Sequence, residues 1–296
     1  MTFPRPLGML AFLCAHLAPW RPLRTRAAAS RLVFYVHHRD AIGRHIAKYG
    51  AHEPLLTSWL EQYLAQARPG LFIDVGANIG WHALHAARQV SVETVVAFEP
   101  DPFNFALLEQ NATVNRFANV ICKAVAIGDR PGTLRLYRYK SSNLGRHSAA
   151  VDHGYGWQDV PMFDLDGALA EMKLDNRAVA ALKIDVEGFE PAVIHGARGT
   201  LARTDVLIIE HSPDLSRAAG WSADLMIAQL AQCGFRPHVL RAAGGVAAIT
   251  PLELRSFTGV IDIIWTRAEA RGVALADRGR LSLPEIAEQN SRVKAP

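Results

Sequence analysis

Leu71–Trp81 reads LFIDVGANIGW: a short apolar run, an acid at Asp74, a turn through Gly76, Asn78 and Gly80, then the apolar-spaced segment 82–90. That order predicts a strand, a tight glycine turn and a helix. Glycine suits such a turn because it adopts positive φ at little cost and lets a ligand lie against the backbone. At the carboxyl end of a parallel strand, a turn of this kind forms the floor of a nucleotide site.

The turn's residues narrow the choice of nucleotide. A dinucleotide fingerprint started at Gly76 needs glycine at 78 and 81, where the chain has Asn78 and Trp81. No Gly-Lys-Ser/Thr closes the turn, so a P-loop is also excluded. The string D-x-G-A-N-x-G instead resembles motif I of the class I S-adenosylmethionine-dependent methyltransferases. A second acid is then expected after the next strand, and Glu99 follows the apolar run 94–98. A carboxylate there accepts hydrogen bonds from ribose hydroxyls.

Working outward, 296 residues suit one large domain with additions. Half the residues are hydrophobic, yet no run approaches the ~20 apolar residues of a membrane span. Cys14, Cys122 and Cys233 lie far apart and fit neither a disulfide framework nor a zinc pattern, which suggests a reducing, cytoplasmic setting. Of the formal net charge of +4, residues 1–50 hold eight Arg or Lys against Asp40, or +7, leaving −3 on the rest. A broad nucleic-acid-binding face on the body is therefore not expected.

Residues 1–31 form a basic extension. Phe3, Leu7, Leu10, Cys14 and Leu17 recur at helical spacing, with Arg21, Arg24 and Arg26 behind them. One reading is peripheral attachment to the inner, anionic face of a membrane; the favoured reading is an extension packed on the domain. Residues 32–70 follow as strand (32–36), helix (40–50) and helix (53–67), placed to act as an N-terminal helical lid. Residues 71–267 are the cofactor-binding domain, and 268–296 a poorly ordered tail. Within the domain, single strands are expected over 120–127, 178–186 and 206–209, helices over 103–115 and 189–203, and an outlying antiparallel strand over 132–139. The polar segment 141–156 is long enough to be a functional loop.

Asp74–Gly80 (DVGANIG), Phe98–Asp101 (FEPD), Lys183–Glu190 (KIDVEGFE) and Glu210-His211, in that order, resemble the FkbM family of S-adenosylmethionine-dependent methyltransferases. Gly50, Glu53, Asn111, Asn115, 126–128 and Leu165-Asp166 extend the resemblance across roughly residues 40–209. Phe163-Asp164 departs from it, since the family more often has a small polar residue there. The resemblance implies an α/β fold, class I methyltransferase-like (Rossmann-like), with a doubly wound, mostly parallel sheet and helices on both faces. It also implies S-adenosyl-L-methionine as cofactor, held by Asp74, Gly76, Ala77, Asn78, Gly80, Glu99, Pro100, Asp101 and Ala126. The implied reaction is O-methylation of a hydroxyl on a sugar, glycan or secondary metabolite.

Methyl transfer needs an aligned acceptor and a destination for the hydroxyl proton. Asp185 and Glu187 follow one expected strand, and Glu210 and His211 the next. Two arrangements are open. Asp185, Glu187 or His211 serves as base or orients it, or Asp185, Glu210 and His211 hold a divalent cation such as Mg²⁺. The plain alternative is that Asp185 and Glu187 merely cap the helix that follows. A second functional alternative is a non-catalytic protein that binds the cofactor as a scaffold.

Overall fold

The computed structural model describes residues 5–15, 21–139, 147–149, 151–241 and 244–267. The expected tail, residues 141–146 and 150 of the polar loop, Phe3 and Leu17 lie outside these residues, as do the side chains of Leu7 and Cys14.

The chain begins with α1 (Pro6–Ala15) and the antiparallel pair β1 (Leu23–Arg26) and β2 (Val33–Val36). The hairpin spans the division expected at residue 31. Next come α2 (Ala41–Tyr49) and α3 (Pro54–Leu64). Asp40 starts α2 by accepting the Gly43 N–H at 3.0 Å, and Gly50 ends it at φ 69°.

The body follows as β3 (Gly70–Val75), α4 (Trp81–Ala87), β4 (Val92–Phe98), α5 (Pro102–Val114), β5 (Val120–Lys123), β6 (Ala126–Gly128), β7 (Gly132–Tyr137) and β8 (Trp157–Asp164). It continues with α6 (Leu165–Glu171), β9 (Val179–Ile184), α7 (Glu190–His195), α8 (Arg198–Ala202), β10 (Thr204–His211), α9 (Pro213–Ala218) and α10 (Ala223–Gln232). β11 (Phe235–Leu240), β12 (Val246–Ala248), α11 (Pro251–Arg255) and β13 (Ile261–Arg267) complete it.

Eight strands form one sheet in the order β12-β11-β13-β10-β9-β3-β4-β5. The five from β10 to β5 are parallel, while β13, β11 and β12 join antiparallel. β3 and β9 are buried along their whole length, as strands covered on both faces must be. One face packs on α6, α7, α8, α10 and α11, and the other on α3, α4 and α5. From β3 the chain winds outward to β5, then returns to β9 on the other side. That reversal opens a crevice at the carboxyl ends of β3 and β9.

Two expected elements are divided. The strand expected over 120–127 leaves the main sheet after Lys123, because β6 pairs with β8 in a separate sheet of order β6-β8-β7. The helix expected over 189–203 breaks at Gly196, where a Cβ would lie 2.2 Å from the Gly128 carbonyl oxygen. Asp166 then caps the new start, accepting the Gly199 and Thr200 N–H groups at 2.7 Å each.

Residues 32–70 are fastened to α4 and α5. Asn115 and Asn111, one helical turn apart, accept the N–H groups of Val33 and Tyr35 at 2.9 and 2.6 Å. Their amide nitrogens donate back to the carbonyls of Val33 and Tyr35, so two side chains supply the ladder of a missing strand. Trp81, the residue that excludes a dinucleotide fingerprint, stacks on Phe34 and donates to Thr57 Oγ1 at 2.9 Å. No helix among the described residues is long and apolar enough to cross a membrane, and Cys122 and Cys233 are free thiols.

Candidate functional site

The turn after β3 is built against its neighbours. The Gly76 and Ala77 N–H groups both donate to the Phe98 carbonyl, and a Cβ on Gly76 would lie 1.9 Å from the Asp185 carbonyl oxygen. Only glycine fits there, at φ 82°. Gly80 serves packing instead: a Cβ on it would meet Leu108 at 2.6 Å.

Glu99 ties this turn to the end of β4. It accepts the Asn78 N–H at 2.7 Å and the Asp101 N–H at 2.9 Å. Burial pushes its carboxyl up to about 8, against the pull of those two amides. Asp101 caps α5 through Phe103 and Asn104, both at 3.0 Å.

Gly76, Asn78, Phe98, Glu99 and Asn104 border a cleft, whereas Gly80 and Asp101 lie outside its lining. Gly76 and Asn78 form its floor, and Glu99 and Pro100 one wall. An apolar wall comes from the small sheet through Ala126, Leu134 and Leu136. Asp185 and Glu187, which follow β9, also line it. The lining fits S-adenosylmethionine: an acid for a diol, a backbone floor with no room for a side chain, and an apolar wall. Asp74 and Ala77 do not line the cleft; they are buried beside and behind it.

Asp74 faces a charged cluster. It pairs in register with Lys183 across the β3–β9 ladder, and burial pushes its carboxyl up to about 6, with Lys183 acting against the shift. Lys183 Nζ reaches Asp185 Oδ2 at 2.8 Å. Burial opposes the Lys183 charge, but Asp185, Asp74 and Glu53 together hold its pKa above the usual lysine value. Glu53, at φ 41°, accepts from His82 Nε2 at 2.8 Å. Burial pushes His82 down to about 4, so a neutral ring donates to an ionised Glu53. Residues 32–70 therefore reach the strand ends through Glu53, while the cleft lining comes from other segments.

The expected cation site does not form. Successive residues on a strand face opposite ways, so Glu210 lies on the face of Val206 and Ile208, and His211 on that of Leu207 and Ile209. His211 sits beside Phe257, and burial pushes its imidazole down to about 4. Among the described residues no group of three or more His, Cys, Asp or Glu is placed to hold a metal ion. His211 also lies outside the cleft lining. Capping of the turn after β9 falls to Glu190, which accepts the Val186 and Gly188 N–H groups at 3.0 and 3.1 Å, rather than to Asp185 or Glu187.

His147 is a cleft residue the sequence did not single out. Its Nδ1 accepts the Tyr139 N–H at 2.9 Å, so the neutral ring carries its proton on Nε2, 3.8 Å from Asp101 Oδ2. Ser148 beside it donates to the Glu187 carbonyl at 2.9 Å, fixing this part of the loop over the cleft. A histidine inside the expected functional loop was the available signal.

Residues 74–237 match the family described as Methyltransferase FkbM domain. The 31-O-demethyl-FK506 methyltransferase FkbM of Streptomyces tacrolimicus is 33% identical, over 44% of this chain and 61% of its own length. Methyltransferase 1 of Beauveria bassiana (strain ARSEF 2860) is 26% identical, over 42% of this chain and 57% of its own. The chain thus spans about three-fifths of the length of the curated relatives it matches. The crystal structure of Methyltransferase FkbM from Methylobacillus flagellatus KT is 16% identical and covers 68% of this chain and 44% of that one. The TM-score between the two is 0.40.

Proposed function

The chain belongs to the FkbM methyltransferase family, and from that premise we propose that it methylates a hydroxyl oxygen of a small-molecule acceptor, such as a sugar, a glycan or a secondary metabolite, using S-adenosylmethionine. When bound, the cofactor supplies an electrophilic methyl group. Glu99 accepts hydrogen bonds from the ribose hydroxyls, the backbone of Gly76 and Asn78 holds the amino-acid part, and Ala126 and Leu134 flank the base. A relative whose name denotes a 31-O-demethyl acceptor supports oxygen as the methylated atom.

Asp185 is the group placed to receive the acceptor's proton. Its side chain is 27% exposed, it borders the cleft, and Lys183 fixes its orientation. The acceptor hydroxyl would donate to Asp185, and the proton would pass through the carboxylate to water as the oxygen took the methyl group. Holding the reactants in line supplies ~7–11 kcal/mol of the barrier, and a positioned base ~10²–10⁴-fold more. The observation that carries this reading is the cleft itself, whose lining holds both Glu99, after β4, and Asp185, after β9, on either side of β3. Calorimetric titration with S-adenosylmethionine, followed by methyl-transfer assays on glycosides and hydroxylated metabolites, tests it. Tight cofactor binding with no transfer to any oxygen acceptor would favour a scaffold.

A further inference from the structure

We propose that α1 and β1 form a docking surface for an anionic lipid membrane. α1 carries no charged residue in its ten positions and is apolar around its whole circumference, a pattern that calls for apolar surroundings on every side. Among the described residues, one side has them. Phe12 is buried under Lys48, and Gly8 lies so close to α2 that a Cβ would meet the Ala47 carbonyl oxygen at 2.5 Å. On the other side Leu10 and Leu13 are 58% and 59% exposed.

The charge beside these leucines selects the occupant. Residues 1–39 contain six arginines and no acid. Arg21, Arg24, Arg26 and Arg31 are exposed, whereas Arg5 donates to the Arg26 carbonyl at 2.8 Å and ties the helix to the strand bearing Arg24 and Arg26. Exposed leucines joined to a uniformly basic strand match the acyl boundary and headgroups of an anionic leaflet. A polyphosphate chain would use the arginines but not the leucines.

Sedimentation of the full chain with phosphatidylcholine vesicles, with and without phosphatidylglycerol, tests the proposal. The chain is expected to pellet only with phosphatidylglycerol present and to be released as salt shortens the screening length from ~10 Å towards ~3 Å. Arg24→Gln/Arg26→Gln is expected to weaken partition about 30-fold, at ~1 kcal/mol per arginine. Leu10→Gln/Leu13→Gln is expected to abolish it, with thermal unfolding confirming that both variants fold. Full chain that stays in the supernatant with both vesicles overturns the proposal, as does a leucine variant that pellets like the parent. Self-association lost in the leucine variant, without vesicle binding in the parent, assigns the face to a second copy of the chain instead.

Discussion

Lys183 Nζ lies 2.8 Å from Asp185 Oδ2, and this contact joins the buried charges behind the cleft to the carboxylate that borders it. Asp185 gains its orientation from Lys183, and Lys183 remains charged because Asp185, Asp74 and Glu53 surround it. Asp185→Asn keeps the shape and removes the charge. Turnover on the true acceptor is expected to fall at least ~10²-fold while cofactor affinity changes little. Near-normal turnover in a folded variant would remove Asp185 from the chemistry. Chelators are expected to leave wild-type activity unchanged, because Glu210 and His211 face opposite ways from their strand.

Lys183→Met leaves Asp74, Glu53 and Asp185 without their shared cation. Breaking a buried ion pair from one side costs ~3–5 kcal/mol, which urea unfolding measures. Without Lys183 the Asp74 carboxyl rises above its value of about 6, so the loss should shrink as pH falls towards about 6, where the variant already holds this group protonated. A loss that is small and independent of pH would show the cluster is not coupled as drawn.

Glu99 supplies a proton-linked test. With its pKa pushed up to about 8, the free protein holds this carboxyl mostly protonated at neutral pH. A diol donating to it favours the ionised form, so cofactor binding releases a proton and affinity climbs as pH rises towards about 8. Calorimetry in two buffers of different ionisation enthalpy reads the release directly. Glu99→Gln is expected to abolish it and to weaken binding by ~1–3 kcal/mol.

His211 is expected to matter for acid stability rather than turnover. Its pKa is about 4 in the fold against an ordinary 6.5, so protonation favours the unfolded chain. Its contribution is complete above the ordinary value and is lost as pH falls through about 4. His211→Phe should flatten that part of the pH–stability curve while transfer activity persists. Activity lost in a folded His211→Phe protein would return the residue to the active site.

The cofactor end of the cleft was legible because its parts are local. Asp74 to Gly80 follow strand-and-turn grammar, and Glu99 sits one residue past the next strand. The division of 120–127 was not legible, since one apolar run serves either one strand or two that join different sheets. Only the pairing of β6 with β8 decides between them. The break at Gly196 depends on the Gly128 carbonyl, far away in sequence. The placement of Glu210 and His211 could have been read, because adjacent residues on a strand cannot share a face. Glu53, His82 and Lys183 were each visible in the chain, but nothing short of the fold brings three separate segments to one point.

The small sheet β6-β8-β7 has a further consequence. It forms the apolar wall through Ala126, Leu134 and Leu136, yet it makes no ladder with the eight strands that carry Gly76, Glu99 and Asp185. The cleft therefore has a fixed jaw and an adjustable one. Exchanging Leu134 or Leu136 on β7 reshapes the apolar wall without shifting the strands that carry Gly76, Glu99 and Asp185.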